Sequence, residues 1–485
     1  MTTNANPEVA AAQPAPPQTP PAAGPGAMWI VLTGVFMATL DFFIVNVAIP
    51  SAQQDLKASA SAIQWIVAGF GLTYGAGLIT GGRLGDIFGR RAMFATGLAL
   101  FTLTSVLCGV APSAGFLVVA RLAQGATAAL MSPQVLAVLR TVYQGAAQLR
   151  AFSMYGLAMG LAAVFGQLIG GLLMKADLFD LGWRSCFLIN LPIGIVALLL
   201  TFKYVPESKS PVKSKLDLVG MVLVTGALVA LVLPLIQGRE QGWPLWTEAS
   251  LVGSVVLFLA FALYERALTA KGGSPLVNLS MFTDRAFTAG LLAQLVFWMG
   301  QASFFLVFAL YIQFGRGLDA LEAGVVFVAI GAGYLVTSTT AHKIAAKLGR
   351  QVLALGGLLC SVGLVLVGVE VHQIGVGGSV WWLVPGLVLD GAGMGMAVAP
   401  LAATVLTRIN PQYAGAASGV LSTALQIGNA LGVALIGLIF YNALDLSAGP
   451  ATYAHAFQLS LFYSIGIGVV LAAIVQLLPR GNTGK

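Results

Sequence analysis

Charge is scarce in this chain. Asp, Glu, Lys and Arg make up 8% of its 485 residues, where a soluble domain carries about 25%. So few ions could not solvate a globular surface of that size, and the soluble classes, nucleic-acid-binding proteins among them, are set aside. Cysteine is nearly missing as well. Cys108, Cys186 and Cys360 are scattered in or beside apolar stretches, which argues against a disulfide framework or a zinc site. His342, His372 and His455 do not cluster, so no metal site is expected. There is no Gly-x-x-x-x-Gly-Lys-Ser/Thr phosphate loop, and no polar segment is long enough for a nucleotide-binding domain. No nucleophile–base pair stands out, so neither an enzyme nor a bound cofactor is expected. The N-terminus lacks the basic start of a cleavable signal peptide; residues 1–27, rich in Pro and Ala, read as a disordered tail.

Apolar sequence is abundant instead: 58% of residues are hydrophobic and the mean hydropathy is +0.90. About 20 apolar residues cross a bilayer, and backbone groups in lipid must be bonded internally. Long apolar runs without strict alternation therefore mean helices, and the chain reads as an all-α membrane protein with fourteen of them. The segments at 286–314 and 415–441 are long enough to tilt. With the N-terminus placed in the cytoplasm, the loops and tails on that side hold 18 of the 24 Lys and Arg residues, the external loops hold 5, and Arg121 is left inside the membrane. That asymmetry predicts both termini in the cytoplasm of a cell-membrane protein and accounts for the net charge of +7.

The densest knot of charge is Gly81-Gly82-Arg83-Leu84-Gly85-Asp86-Ile87-Phe88-Gly89-Arg90-Arg91, between the second and third apolar runs. It has an echo 260 residues later, where Lys343, Gly349 and Arg350 repeat Arg83, Gly89 and Arg90. The echo carries Ala346 in place of Asp86. Two six-helix bundles are implied, 28–205 and 286–478, with a linker at 206–216, an inserted helix pair at 217–268, a cytoplasmic loop at 269–285 and a tail at 479–485. Parallel halves of this kind place a site near midplane between them. The turn is a candidate conformational gate. Asp86 is positioned to cap the third helix or to pair with Arg90, and Gly82, Gly85 and Gly89 imply close backbone approach. The alternative is that Arg83, Arg90 and Arg91 anchor the turn at lipid headgroups.

Asp41, Arg121 and Asp390 fall inside apolar runs, and intramembrane charges usually face a partner or a cavity. Asp41 lies about 13 Å from the outer end of helix 1, taken as Pro50, and Arg121 about 10 Å from the outer start of helix 4, at 1.5 Å per residue. The two can pair. Burial disfavours an ionised carboxylate and a nearby cation favours it, so Asp41 and Arg121 are candidate proton-coupling residues. Asp390 is a candidate second proton or substrate site. In helix 5, Gly166, Gln167, Gly170 and Gly171 form a close-packing motif beside Gly156 and Gly160. Phe297, Trp298, Phe304 and Phe305 of helix 9 are read either as ligand-stacking or as lipid-facing.

These stretches resemble the major facilitator superfamily, and within it the fourteen-helix branch of the drug:proton antiporters. Residues 82–91 are similar to motif A of that superfamily, Leu40–Pro50 to the helix-1 signature of the branch, Arg121–Gly125 to motif B, and Trp183–Pro192 to the start of its helix 6. Gln167 stands where the antiporter motif C carries Pro, and Ile87 where motif A often has a basic residue. The resemblance implies a major facilitator fold and export of a lipophilic small molecule against protons, with no cofactor beyond the proton gradient. The cavity would be lined partly by helices 1, 4, 5, 9 and 12. Asp86 and Arg90 would stabilise the outward-open state. The partners implied are the substrate, protons and the bilayer, with a periplasmic adaptor if the cell is Gram-negative. A metabolite or sugar facilitator on the same fold, or a non-transporting sensor or scaffold, are the alternative readings.

Overall fold

The computed structural model describes residues 26–209, 216–277, 279–406, 414–445, 447 and 449–479. Most of the predicted N-terminal tail, residues 210–215 of the linker, and 480–485 of the predicted C-terminal tail lie outside them. Among the described residues there are fourteen helices long and apolar enough to span a membrane, and no strands. In chain order they are α1 Gly26–Leu56, α2 Ala60–Phe88, α3 Arg90–Gly109, α4 Ala114–Val142, α5 Gly145–Ala176, α6 Gly182–Tyr204, α7 Leu218–Gln237, α8 Leu245–Ala270, α9 Arg285–Leu310, α10 Ala320–Leu348, α11 Gln351–Ile374, α12 Val384–Leu406, α13 Ala414–Ala443 and α14 Ala451–Val475.

The first helix and the charged turn differ most tellingly from the sequence reading. The first helix begins at Gly26, inside the expected tail, and runs through Pro50 to Leu56. A proline forfeits one backbone bond but does not have to end a membrane helix. The charged turn is mostly helix: α2 continues to Phe88, and Gly89 alone, at φ 111°, separates it from α3. Its other charged and glycine residues are thus held in register on helix ends.

Small residues set the packing, because lipid removes the hydrophobic drive between helices and leaves close van der Waals contact to hold them. Gly166 and Gly170 of α5 lie against Leu40, Phe43 and Ile44 of α1, and Gly428 and Gly432 of α13 lie against the Leu295 and Met299 carbonyls of α9. The Thr73 hydroxyl of α2 donates to the Leu122 carbonyl of α4 at 2.7 Å, and the Thr337 hydroxyl of α10 donates to the Ala392 carbonyl of α12 at 2.8 Å. The same contacts in α1–α6 and in α9–α14 show the internal repeat. The two bundles meet along α2 with α13 and α5 with α10, and α7 lies over α2 and α13. Helix α8 packs mainly on α7 and exposes Val252, Val255, Leu259 and Leu263.

The end of the molecule that carries Arg83–Arg91 is called here the basic end, and the other the outer end. At the outer end the α5–α10 seam is closed. A Cβ on Gly324 would lie 2.7 Å from the Gln167 carbonyl oxygen, and Lys175 pairs with Asp319 at 3.1 Å. Nearer the basic end of α5, Gly156 has no neighbour within 4 Å.

Helix approach leaves no room for a Cβ at Gly81, where it would collide with the Ala129 carbonyl of α4, or at Gly391, where it would collide with the Ile330 carbonyl of α10. Gly82, one residue on, has nothing nearer than the Pro133 Cβ at 3.6 Å. Gly81→Ala and Gly391→Ala are therefore expected to destabilise the protein by about 1–3 kcal/mol and Gly82→Ala to be neutral. Thermal melting of the three variants in detergent checks this; equal melting points would contradict the packing argument.

Candidate functional site

Asp41 and Arg121 form an ion pair, and both side chains are fully buried. The pair is the centre of a polar network drawn from five helices of the first bundle, α1, α2, α3, α4 and α6. Arg121 also donates from Nε to the Ile66 carbonyl at 2.8 Å and from Nη1 to Gln124 Oε1 at 2.7 Å. The second carboxylate oxygen of Asp41 accepts from Gln124 Nε2 at 2.9 Å and from Asn190 Nδ2 at 3.0 Å. Both amides also donate to Ser105 Oγ, at 3.1 and 2.8 Å. The guanidinium stacks on Phe70, 4.4 Å from its ring centre. Both oxygens of Asp41 are acceptors in this arrangement, the pattern of an ionised carboxylate. A proton on Asp41 would displace one of these donors and loosen α1 from α3, α4 and α6.

A second feature lies on the other side of α1. Between the bundles, near midplane, is a cavity of about 40 Å³ of free space, walled by Thr39 on α1, Gly160 on α5, Trp298 and Phe305 on α9, Phe327 and Tyr334 on α10 and Met394 on α12. Helix 10 contributes to it and helix 4 does not, which corrects the lining read from the resemblance: the seam brings α10 against α5, while α4 faces inward in its own bundle. Thr39 and Asp41 are two residues apart, about 200° around the helix, so one face of α1 meets the cavity and the other the ion pair. Of the helix-9 aromatics, Trp298 and Phe305 reach the cavity, and Phe297 and Phe304 are buried beside them.

Asp390 is fully buried in the second bundle, with no hydrogen-bond partner for either carboxylate oxygen among the described residues. Its nearest polar neighbours are Cys360, whose thiol reaches the Asp390 backbone carbonyl at 3.4 Å, and Gln301, whose amide reaches the Cys360 sulfur at 3.8 Å. It is not among the lining residues of the cavity, but it lies one helical turn from Met394, which is. Gln167 is also fully buried with its amide unpartnered, in an α5 that is continuous through it.

At the basic end, Asp86 pairs with Arg90 at 3.0 Å and does not cap α3. Glu207, from the chain after α6, does that work, accepting from the Arg91 N–H at 3.1 Å. A Cβ on Gly89 would lie 2.7 Å from that carboxylate, so the glycine serves both the positive φ and the approach. Gly85 leaves room for Gln134, which donates to the Gly81 carbonyl at 2.7 Å. The Asp86–Arg90 pair is local and partly exposed, and such pairs contribute about 0–1 kcal/mol. It is formed here while the outer seam is closed.

Arg83 reaches further. It donates to the Ser274 carbonyl at 2.9 Å and to that of Pro275, in the loop between α8 and α9. The same loop is held by Asp217, which accepts from the Leu276 N–H at 3.1 Å, and by Glu265, which accepts from the Val277 N–H at 3.0 Å. Burial alone would raise the Asp217 carboxyl, but hydrogen bonds from the Gly220 N–H, the Tyr264 hydroxyl and the Leu276 N–H help to outweigh it and hold the group below its ordinary range. Leu276, Val277, Val420, Leu421 and Ile79 close an apolar cluster beneath the loop, spanning both bundles. Arg83→Ala is expected to speed modification of Val277→Cys by a membrane-impermeant maleimide several-fold. The three native cysteines are buried and give little background. An unchanged rate would show that Arg83 does not hold the loop.

Sequence reasoning did not single out Gln124, Asn190, Ser105 or Glu207. The first two sat inside stretches quoted for their resemblance, three residues from Arg121 and late in the helix-6 signature; Glu207 had no signal beyond lying in a polar linker.

Comparison with known proteins follows the same lines. A family model described as Major Facilitator Superfamily matches residues 31–433. The chain is 38% identical over 428 residues to a probable actinorhodin transporter of Streptomyces coelicolor, covering 87% of this chain and 73% of that one. It is 31% identical to the puromycin resistance protein pur8 of Streptomyces alboniger, covering 94% and 91%. It is 32% identical to a tetracenomycin C resistance and export protein of Streptomyces glaucescens, covering 84% and 74%. Among solved structures, a bacterial homologue of the lysosomal transporter Spinster, inward-facing and unoccupied, superposes with a TM-score of 0.64 at 16% identity, covering 94% of this chain and 98% of that one.

Proposed function

The chain belongs to the major facilitator superfamily, and on that premise we propose that it is a drug efflux transporter of the cell membrane, exporting a small lipophilic compound in exchange for protons. The names of its relatives support export of antibiotics and drugs. The observation that carries the proton half is the sealed Asp41–Arg121 pair on one face of α1, with the cavity on the other.

The basic end faces the cytoplasm, as the distribution of Lys and Arg supports, and both termini lie there. The state described, closed at the outer seam, is then inward-facing or occluded. In the cycle, Asp41 takes a proton while the outer side is open. Its link to Arg121 weakens, α1 shifts against α3, α4 and α6, and Gly166 and Gly170 pass the shift to α5 and the cavity wall. Proton release towards the cytoplasm restores the ion pair. Arg83 and its loop, more than Asp86 and Arg90, hold the basic end. Asp390 is kept as the candidate second proton or substrate site, and the exchange proposed here runs through Asp41.

The test is transport in inside-out proteoliposomes with an acidic lumen. Exchange predicts that substrate accumulates in the lumen and that accumulation is lost when an ionophore collapses the gradient. A facilitator would equilibrate the substrate and no more, and a sensor would move none.

A further inference from the structure

We propose that the central cavity selects uncharged, flat aromatic compounds bearing carbonyl oxygens, and that Thr39, Trp298 and Tyr334 are the donors that read them. This rests on the efflux reading above and names the substrate class of the same cavity.

The lining carries no charged side chain. Asp41, Arg121 and Asp390 are fully buried within their own bundles and are not among the lining residues. A cationic ligand would therefore leave water without meeting a carboxylate, and an anionic one without meeting a Lys or Arg, either of which is costly in an apolar site. The walls are aromatic. Trp298, Phe305, Phe327 and Tyr334 stand on the side of the second bundle, and Phe305 and Phe327 pack with ring centres 5.4 Å apart. The polar groups of the lining are the hydroxyls of Thr39 and Tyr334 and the indole N–H of Trp298. None of these three has a hydrogen-bond partner among the described residues, and all three can donate. A ligand that satisfies them presents acceptors, and a ketone or quinone oxygen is an uncharged acceptor that lies in the plane of a flat ring.

The shape argues the same way. The free space is about 40 Å³ in this state, room for a few waters and far less than a drug-sized ligand fills, so the ligand enters when the bundles part. They part as two faces, α1 and α5 on one side and α9, α10 and α12 on the other, which favours a flat occupant. Gly160 is what lets the Tyr334 ring stand at this face: a Cβ there would lie 2.6 Å from it.

The experiment compares one ring system at three charges: 2-methylanthraquinone, anthraquinone-2-sulfonate and an anthraquinone bearing a trimethylammonium group. Binding to the full chain in nanodiscs is corrected with protein-free discs. The neutral quinone is expected to bind at least about tenfold more tightly than either charged one. Tyr334→Phe and Trp298→Phe, each well folded by size exclusion and melting, are expected to weaken it about fivefold while leaving binding of anthracene, which has no carbonyl, unchanged. A charged probe that binds as well as the neutral one, or Phe variants that bind the quinone normally, would overturn the proposal. Gradient-driven export of other drugs alongside that failure would leave efflux standing. Quinone binding with no gradient-driven export of any compound would leave the cavity assignment standing and remove efflux.

Discussion

Asp41→Asn is expected to abolish uphill export while leaving equilibrium binding of an uncharged substrate within about twofold of the unaltered protein. Asparagine keeps the size, and its one amide oxygen can accept either from Gln124 and Asn190 or from Arg121. It leaves the Arg121 charge without its partner, so the variant should melt below the unaltered protein and is compared at a temperature where both are folded. It cannot take up or release a proton. One pH unit corresponds to about 1.4 kcal/mol, a factor of ten, so a one-unit gradient can sustain up to about tenfold accumulation of a neutral substrate per proton with the membrane potential clamped. The variant should reach a ratio of one. Binding is spared because Thr39 and Asp41 lie on opposite faces of α1 and the cavity lining contains no acid. Accumulation ratios and binding constants, measured on the same preparation, check both halves.

The second large effect is expected at Arg121. Removing one member of a buried ion pair leaves an uncompensated charge, at a cost of about 3–5 kcal/mol, and here the loss extends to the Ile66 carbonyl, Gln124 and the Phe70 face. Arg121→Ala should therefore melt well below the unaltered protein in detergent and fail to transport. Adding Asp41→Asn to the same chain removes the stranded charge, so the double variant should regain much of the lost stability and none of the transport. If the two substitutions simply add in stability, the pair is not coupled as the geometry requires.

The fourteen spans were legible because a bilayer imposes a minimum run of apolar residues and tolerates no unpaired backbone. The Asp41–Arg121 pair was legible for a related reason: charges are so rare inside the membrane that two at similar depth have few partners but each other. Gln124 and Asn190 were not, since neutral amides inside a helix are common enough to carry no signal until a carboxylate is seen between them. At the basic end, Asp86 makes the pair with Arg90 that was one of its two expected roles; the cap that was the other comes from Glu207, because the chain after α6 returns across the α2–α3 corner. The inserted helices were read only as an added pair. Their carboxylates Asp217 and Glu265 instead hold the loop that Arg83 reaches, a tie that depends on how α7 and α8 lie against α2, which no local pattern encodes. The cavity lining needed the seam itself: only the pairing of α5 with α10 brings Tyr334 and Phe327 beside Thr39.

The account's central claim is that a proton leaves as a substrate enters, through a site on α1 separate from the cavity. The direct measurement is the lumenal pH of inside-out proteoliposomes when an uncharged quinone is added to the bath. The account predicts alkalinisation of an acidic lumen with the unaltered chain and none with Asp41→Asn. Acidification, or alkalinisation that persists in Asp41→Asn, would contradict it.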